Sequence, residues 1–189
     1  MSLILASTSA IRRQMLEAAG LDYVAVKPDV DEDLVKARLS DPVEIAGQLA
    51  VAKALSVRGP WIIGSDSVVS VAGRLFDKPR DRDDAADHLR FFSGKPMELT
   101  SAVALVREGE LVWQHVDVAR LQVRDLSAGF IADYLDAEWP EVGYTVGVFR
   151  LEGRGVQLFE RIDGNHFTIL GMPLLPLLGA LRDHGLAPS

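Results

Sequence analysis

Leu3-Ile4-Leu5-Ala6-Ser7-Thr8-Ser9-Ala10-Ile11-Arg12-Arg13 opens on four apolar residues, crosses three hydroxyls and enters a repeat of Ile11, Met15, Leu16 and Ala19 that stops at Gly20. The apolar run is too short for a helix. The repeat has the three-to-four spacing of one helical face, so the stretch reads as strand, polar turn, helix. A second strand is expected over Tyr23 to Val26, ended by Pro28. Asp41-Pro42-Val43-Glu44 carries three helix-start signals together: an Asp cap, Pro at the first helical position and Glu three after the cap. The helix it begins runs through Ile45, Leu49, Ala52 and Leu55 to about Val57. Trp61-Ile62-Ile63 is then a strand leading into Gly64-Ser65-Asp66, and Val68–Val71 and Arg74–Phe76 flank Ala72-Gly73 as a hairpin. A helix is expected over Arg82–Ser93, closed by Gly94. Two long strands, Glu98–Arg107 and Leu111–Val123, should turn at Glu108-Gly109-Glu110. Ser127 starts a helix that runs to about Leu135, the stretch from Trp139-Pro140 to Gly171 reads as irregular, and a last helix covers Leu174–His184. Strand-helix alternation followed by paired long strands predicts an α/β fold with a mixed sheet flanked by helices, in a single domain over residues 1–189.

Composition narrows the chemistry. The 189 residues are 48% apolar and 25% charged, which suits a globular chain with a sizeable core. No cysteine is present, so disulfides, thiolate metal sites and cysteine nucleophiles are excluded. Twenty Lys and Arg against 27 Asp and Glu give a net charge of −7, which argues against a general nucleic-acid surface. No run approaches the roughly 18–20 apolar residues of a membrane span. The N-terminus lacks a basic stretch and reads as a buried strand rather than a signal peptide, so a cytoplasmic location is expected. P-loop, dinucleotide-binding and G-x-S-x-G patterns are all missing. His88, His115, His166 and His184 are scattered without metal-ligand spacing.

Charged residues at element ends remain. Ser7-Thr8-Ser9 precedes a helix, where hydroxyls and free N–H groups suit an anion. Arg12 and Arg13 lie near that helix start, an unfavourable place for a cation unless something negative sits nearby; they are either phosphate ligands or solvated arginines. Asp66 follows an apolar strand and is a candidate metal ligand or general base, or else a turn residue. Lys53, flanked by alanines, borders a buried face or solvent. Lys78 follows the hairpin. The acidic loop Asp31-Glu32-Asp33 is a solvated loop or, with Asp66, a divalent-cation site. Gathered together, these groups are what hydrolysis of a polyphosphate requires: cations to neutralise phosphate charge and a carboxylate to orient or deprotonate water.

The stretch Leu5–Arg13 resembles the opening L-A-S-x-S-P-x-R-R of the Maf family of nucleoside triphosphate pyrophosphatases. Matches follow in order at Asp31-Glu32, Ala52-Lys53-Ala54, Gly64-Ser65-Asp66, Asp77-Lys78-Pro79, Gly147–Gly153, Leu158-Phe159, Ile162-Asp163-Gly164 and Gly171-Met172-Pro173-Leu174, nearly spanning the chain. The resemblance implies a Maf and inosine-triphosphatase-like fold, with a strongly bent sheet and two lobes around a deep cleft, in a homodimer. It implies cleavage between the α and β phosphates of a nucleoside triphosphate with Mg²⁺ or Mn²⁺. By position it makes Asp66 the catalytic carboxylate and a metal ligand, and Glu32 a second metal ligand. It makes Ser7, Arg12, Arg13, Lys53, Lys78 and Glu152 substrate-binding residues. Ala10 replaces the family's Pro, Asn165 its Asp, Met172 its Leu, and Thr145-Val146-Gly147-Val148 a motif with smaller side chains. Ser67 and Phe149–Gly153 look nearer to the family's 7-methyl-GTP branch than to its dTTP and UTP branch. A non-catalytic nucleotide-binding regulator of septum formation is the alternative the family offers.

Overall fold

A computed structural model of the protein describes residues 2–188; the two ends of the expected 1–189 domain, Met1 and Ser189, lie outside the described residues. Seven strands form one mixed sheet: β1 (Leu3–Ala6), β2 (Val24–Val26), β3 (Trp61–Val71), β4 (Arg74–Phe76), β5 (Pro96–Arg107), β6 (Glu110–Val123) and β7 (Phe159–Asp163). Their order is β2-β1-β3-β5-β6-β7, with β4 paired to β3. The helices are α1 (Ala10–Ala18), α2 (Glu32–Lys36), α3 (Pro42–Leu55), α4 (Arg82–Phe92), α5 (Ala128–Glu138), α6 (His166–Ile169) and α7 (Leu174–Asp183). The α/β class and mixed sheet expected from the sequence are present.

The described chain gathers into two compact units. One holds the residues through Ser67, Thr100–Asp117 and those from Asn165 on; the other holds Val68–Leu99 and Val118–Gly164. In the first unit β1 runs parallel to both β2 and β3, with Ile4 opposite Val24 and Ile62, and Ala6 opposite Val26 and Gly64. All four β1 residues are buried, as expected of a parallel strand covered on both faces. Leu3 and Leu5 join Met15, Leu16, Ile63, Leu105, Leu177 and Leu181 on one face. Ile4 and Ala6 join Ala54, Ile62 and Val106 on the other. The alternation comes directly from the period of two along a strand.

In the second unit α4 and the hairpin strand β4 share an aromatic cluster, with Phe76 edge-on to His88 and to Phe92. α5 begins at Ser127, whose side chain accepts from the Phe130 N–H.

Three expectations are corrected. Asp66 does not lie in a turn after a short strand: β3 is continuous from Trp61 to Val71, and Asp66 is within it. The polar Gly64-Ser65-Asp66-Ser67 looks like a turn, but the ladder of neighbouring strands holds it extended. The expected acidic loop Asp31-Glu32-Asp33 is the start of α2, whose cap Asp31 accepts from the N–H groups of Asp33 and Leu34. The stretch taken as irregular contains β7, paired antiparallel to β6, together with 3-10 turns over Glu141–Tyr144 and Arg154–Leu158 and the short α6.

Candidate active site

β1 ends at Ala6 beside Gly64, so Ser7 and the pair Ser65-Asp66 lie just past the last β1 register position. Ser7 is buried, and its Oγ accepts from the Ser9 N–H at 3.2 Å, which leaves the hydroxyl proton as a donor. Ser9 caps α1, and the first turn of α1 carries no acidic residue. An uncompensated helix start with Arg12 on it favours a negative ligand.

Lys53 is brought to the same region by α3. Helix and strand meet closely because position 64 is glycine: a Cβ there would lie 2.1 Å from the Ala50 carbonyl oxygen and 2.6 Å from the Ala54 nitrogen. The turn of α3 carrying Lys53 therefore lies against the residues just before Asp66. Lys53 Nζ is 2.5 Å from Asp66 Oδ1 and 2.7 Å from Glu32 Oε1. Lys53 and Asp66 are both buried, whereas the Glu32 side chain is 42% exposed. One ammonium thus bridges a buried and a half-exposed carboxylate. Burial pushes the Asp66 carboxyl above the usual range, opposed in part by Lys53 and Arg12 and helped by Glu32. A carboxylate shifted that way is a better proton acceptor than a solvated one.

Arg12 reaches this cluster from α1. Burial lowers its pKa, and the charges of Asp66 and Glu32 act the other way; the guanidinium remains a cation. Its Nε donates to the Gly171 carbonyl at 2.9 Å and its Nη2 to Ser67 Oγ at 3.0 Å. The head group is therefore held by neutral oxygens, with the two carboxylates near enough to be felt.

Of the residues expected from sequence, the structure brings together Arg12, Glu32, Lys53 and Asp66, with Ser7 one position past the β1–β3 register. Arg13 is exposed on α1, and its charge acts on the Tyr23 hydroxyl. Lys78 and Glu152 belong to the second unit. Lys78 is exposed in the segment after β4, and Glu152 Oε1 lies 3.5 Å from Arg150 Nε. Sequence reasoning missed Ser65 and Ser101, and it gave Ser67 and Gly171 no part in holding Arg12. A lone serine in a strand carries no local signal of what it bonds.

No group of three or more His, Asp or Glu among the described residues is arranged to hold a metal ion. Two carboxylates, Glu32 and Asp66, share one cation position filled by Lys53 Nζ. Carboxylate oxygens of this kind are the donors that hard divalent cations take. No described helix is long and apolar enough to cross a membrane.

Half-buried Arg12 and buried Lys53 thus gather with the carboxylates of Glu32 and Asp66 in an α/β fold. The chain belongs to the Maf-like protein family, whose profile matches residues 2–184. It is 48% identical over 191 residues to the 7-methyl-GTP pyrophosphatase of Rhizobium etli, covering 97% of this chain and 96% of that protein. It is 46% identical over 190 residues to the nucleoside triphosphate pyrophosphatase of Nitrobacter hamburgensis, covering 97% and 94%. The solved Ham1 protein of Staphylococcus aureus shares the fold at a TM-score of 0.50 and 14% identity, over 98% of this chain and 100% of that one.

Proposed function

We propose that this protein is a nucleoside triphosphate pyrophosphatase, a hydrolase of acid anhydrides that cleaves between the α and β phosphates. Water attacks the α-phosphorus, a P–O bond forms, the bond to the bridging oxygen breaks, and pyrophosphate leaves as the monophosphate forms. The observation that carries this is the convergence of Arg12, Lys53, Asp66 and Glu32 at the end of β1. Arg12 and Lys53 take phosphate oxygens, with Ser7 and the α1 start as further donors. Asp66, its carboxyl raised by burial, orients the water or accepts its proton. Glu32 and Asp66 would hold Mg²⁺ or Mn²⁺, which supplies charge neutralisation on the polyphosphate. Arg13, on the same helix as Arg12, is a further substrate contact in this reading, while Lys78 and Glu152, expected from the resemblance, belong to the second unit.

The names of the relatives support the activity, and the 7-methyl-GTP pyrophosphatases among them favour 7-methyl-GTP over dTTP or UTP. The same reading takes residues 1–189 as one catalytic domain, working as a cytoplasmic homodimer with a nucleotide as its small-molecule partner. The test is pyrophosphate release with Mg²⁺ from dTTP, UTP, GTP, ITP and 7-methyl-GTP, with Asp66→Asn in parallel. Turnover led by 7-methyl-GTP is expected. Turnover led by dTTP or UTP overturns the base preference alone. Binding without release from any nucleotide overturns the enzyme and favours a regulator.

A further inference from the structure

We propose that Ser101, acting through Ser67 and the Gly171 carbonyl, is a positioning residue for the Arg12 guanidinium. The proposal deepens the pyrophosphatase reading, since it takes Arg12 to hold the triphosphate. Ser101 is fully buried in β5, far in sequence from Arg12 and distinct from every charged group of the site. Its Oγ donates to the Thr168 carbonyl at 2.8 Å and lies 2.9 Å from Ser67 Oγ. A hydroxyl has one proton to donate. With the Ser101 proton committed to Thr168, the Ser67 hydroxyl must be the donor across that pair, sharing its proton with the Gly171 carbonyl at 3.1 Å. Ser67 then has its lone pairs turned toward Arg12 Nη2, which donates to it at 3.0 Å.

The donors thus run in one direction, from Arg12 to Ser67 to Ser101 to the Thr168 carbonyl. The Thr168 hydroxyl extends the buried network by donating to Asp117 Oδ2 at 2.6 Å. The Gly171 carbonyl closes the other side, accepting from Arg12 Nε at 2.9 Å and from Ser65 Oγ at 3.1 Å. Gly171 has φ +102, and a Cβ there would come within 3.2 Å of Ser67 Oγ and 3.7 Å of Arg12 Nη2. A glycine is needed at this point for both the backbone conformation and the close approach.

Arg12 spends its Nε–H and one Nη2–H on this cradle. Since a guanidinium has five N–H donors, three remain to face an anion in a fixed plane. Loss of the Ser101 hydroxyl removes one of the three partners of Ser67 Oγ, leaving the Gly171 carbonyl and Arg12, and so loosens one of the two anchors that set that plane. Small misplacements of a substrate-binding group cost large factors in rate.

The experiment is a double-mutant cycle of Ser101→Ala with Arg12→Ala. Each variant is measured for pyrophosphate release from the best nucleotide, for calorimetric binding of inorganic pyrophosphate, and for Tm. Expected is a loss of about tenfold in kcat/KM, chiefly through KM, and a matching loss of pyrophosphate affinity for Ser101→Ala. In the Arg12→Ala background the same change should cost less than twofold, because contacting residues are coupled. An equal factor in both backgrounds, or wild-type behaviour of Ser101→Ala, overturns the proposal. A merely structural serine would lower Tm and act additively. If no nucleotide is hydrolysed, the pyrophosphatase reading fails, and the cycle in pyrophosphate affinity still decides the role of Ser101. Should Ser101→Ala not fold, Ser67→Ala goes through the same cycle.

Discussion

Replacing Gly64 with alanine perturbs the candidate site without touching a charged group. The added Cβ would sit 2.1 Å from the Ala50 carbonyl oxygen, 2.6 Å from the Ala54 nitrogen and 2.9 Å from Ala54 Cβ, where real Cβ atoms essentially never come under 3.0 Å. Two of those atoms are helix backbone, so no side-chain rotation relieves the clash, and α3 must recede from β3 by about 1 Å. Lys53 lies on that turn, and its 2.5 Å contact to Asp66 would open toward the limit of a hydrogen bond. Overpacking of this kind costs about 1–3 kcal/mol. For a chain this long it should lower Tm by about 2–4 °C per kcal/mol. Misplacement by about 1 Å is expected to cost up to about 10²-fold in kcat/KM. Thermal unfolding and pyrophosphate release on the same preparation measure both. An unchanged Tm would refute the close helix–strand contact. A lowered Tm with intact kcat/KM would refute the claim that this contact sets the Lys53–Asp66 geometry.

Further outcomes are expected. Asp66→Asn should keep the fold and lose about 10²-fold or more in kcat; full activity in a steady-state assay would remove Asp66 from the mechanism. Lys53→Met should destabilise, because it leaves the buried Asp66 without its nearest cation; breaking a buried pair costs about 3–5 kcal/mol, less here because half-exposed Glu32 is screened by water. Adding Asp66→Asn to Lys53→Met should restore part of that loss in urea unfolding, and strictly additive losses would contradict the pairing. His88 has a buried Nδ1 without a hydrogen-bond partner, and its pKa is lowered by burial, then by Arg74 and Arg80, against the pull of Asp84 and Asp87. A lowered folded pKa means that the stability this group contributes is present above the unfolded value of about 6.5 and is lost as pH falls through the folded one. His88→Leu should therefore flatten the acid side of a stability–pH curve, and an unchanged acid limb would show that another group controls it.

Much of the fold was legible in the chain because its signals are local. β1, the polar turn and α1 follow from a short apolar run and a helical repeat within the first 20 residues. The start of α3 follows from Asp41-Pro42, and Asp41 does accept from the Val43 N–H at 2.9 Å. The β5–β6 turn follows from Glu108-Gly109, both at positive φ. β7 was not legible: four of its five residues are exposed, so no apolar pattern marks it. It is a strand because β6 offers it a partner.

The sequence by itself determined which chemical groups are available: hydroxyls ahead of α1, two arginines in its first turns, Lys53 in a small-residue helix, and carboxylates at Glu32 and Asp66. Only the tertiary structure decided that one ammonium bridges Glu32 and Asp66, and that Arg12 is held by a carbonyl 159 residues away. It also decided that Ser67 meets Ser101 across 34 residues. Caps, turns and periodicity act over a few residues and can be read along the chain. Contacts between distant side chains depend on strand register and on how closely a helix can approach a glycine, and those distances exist only once the sheet is assembled.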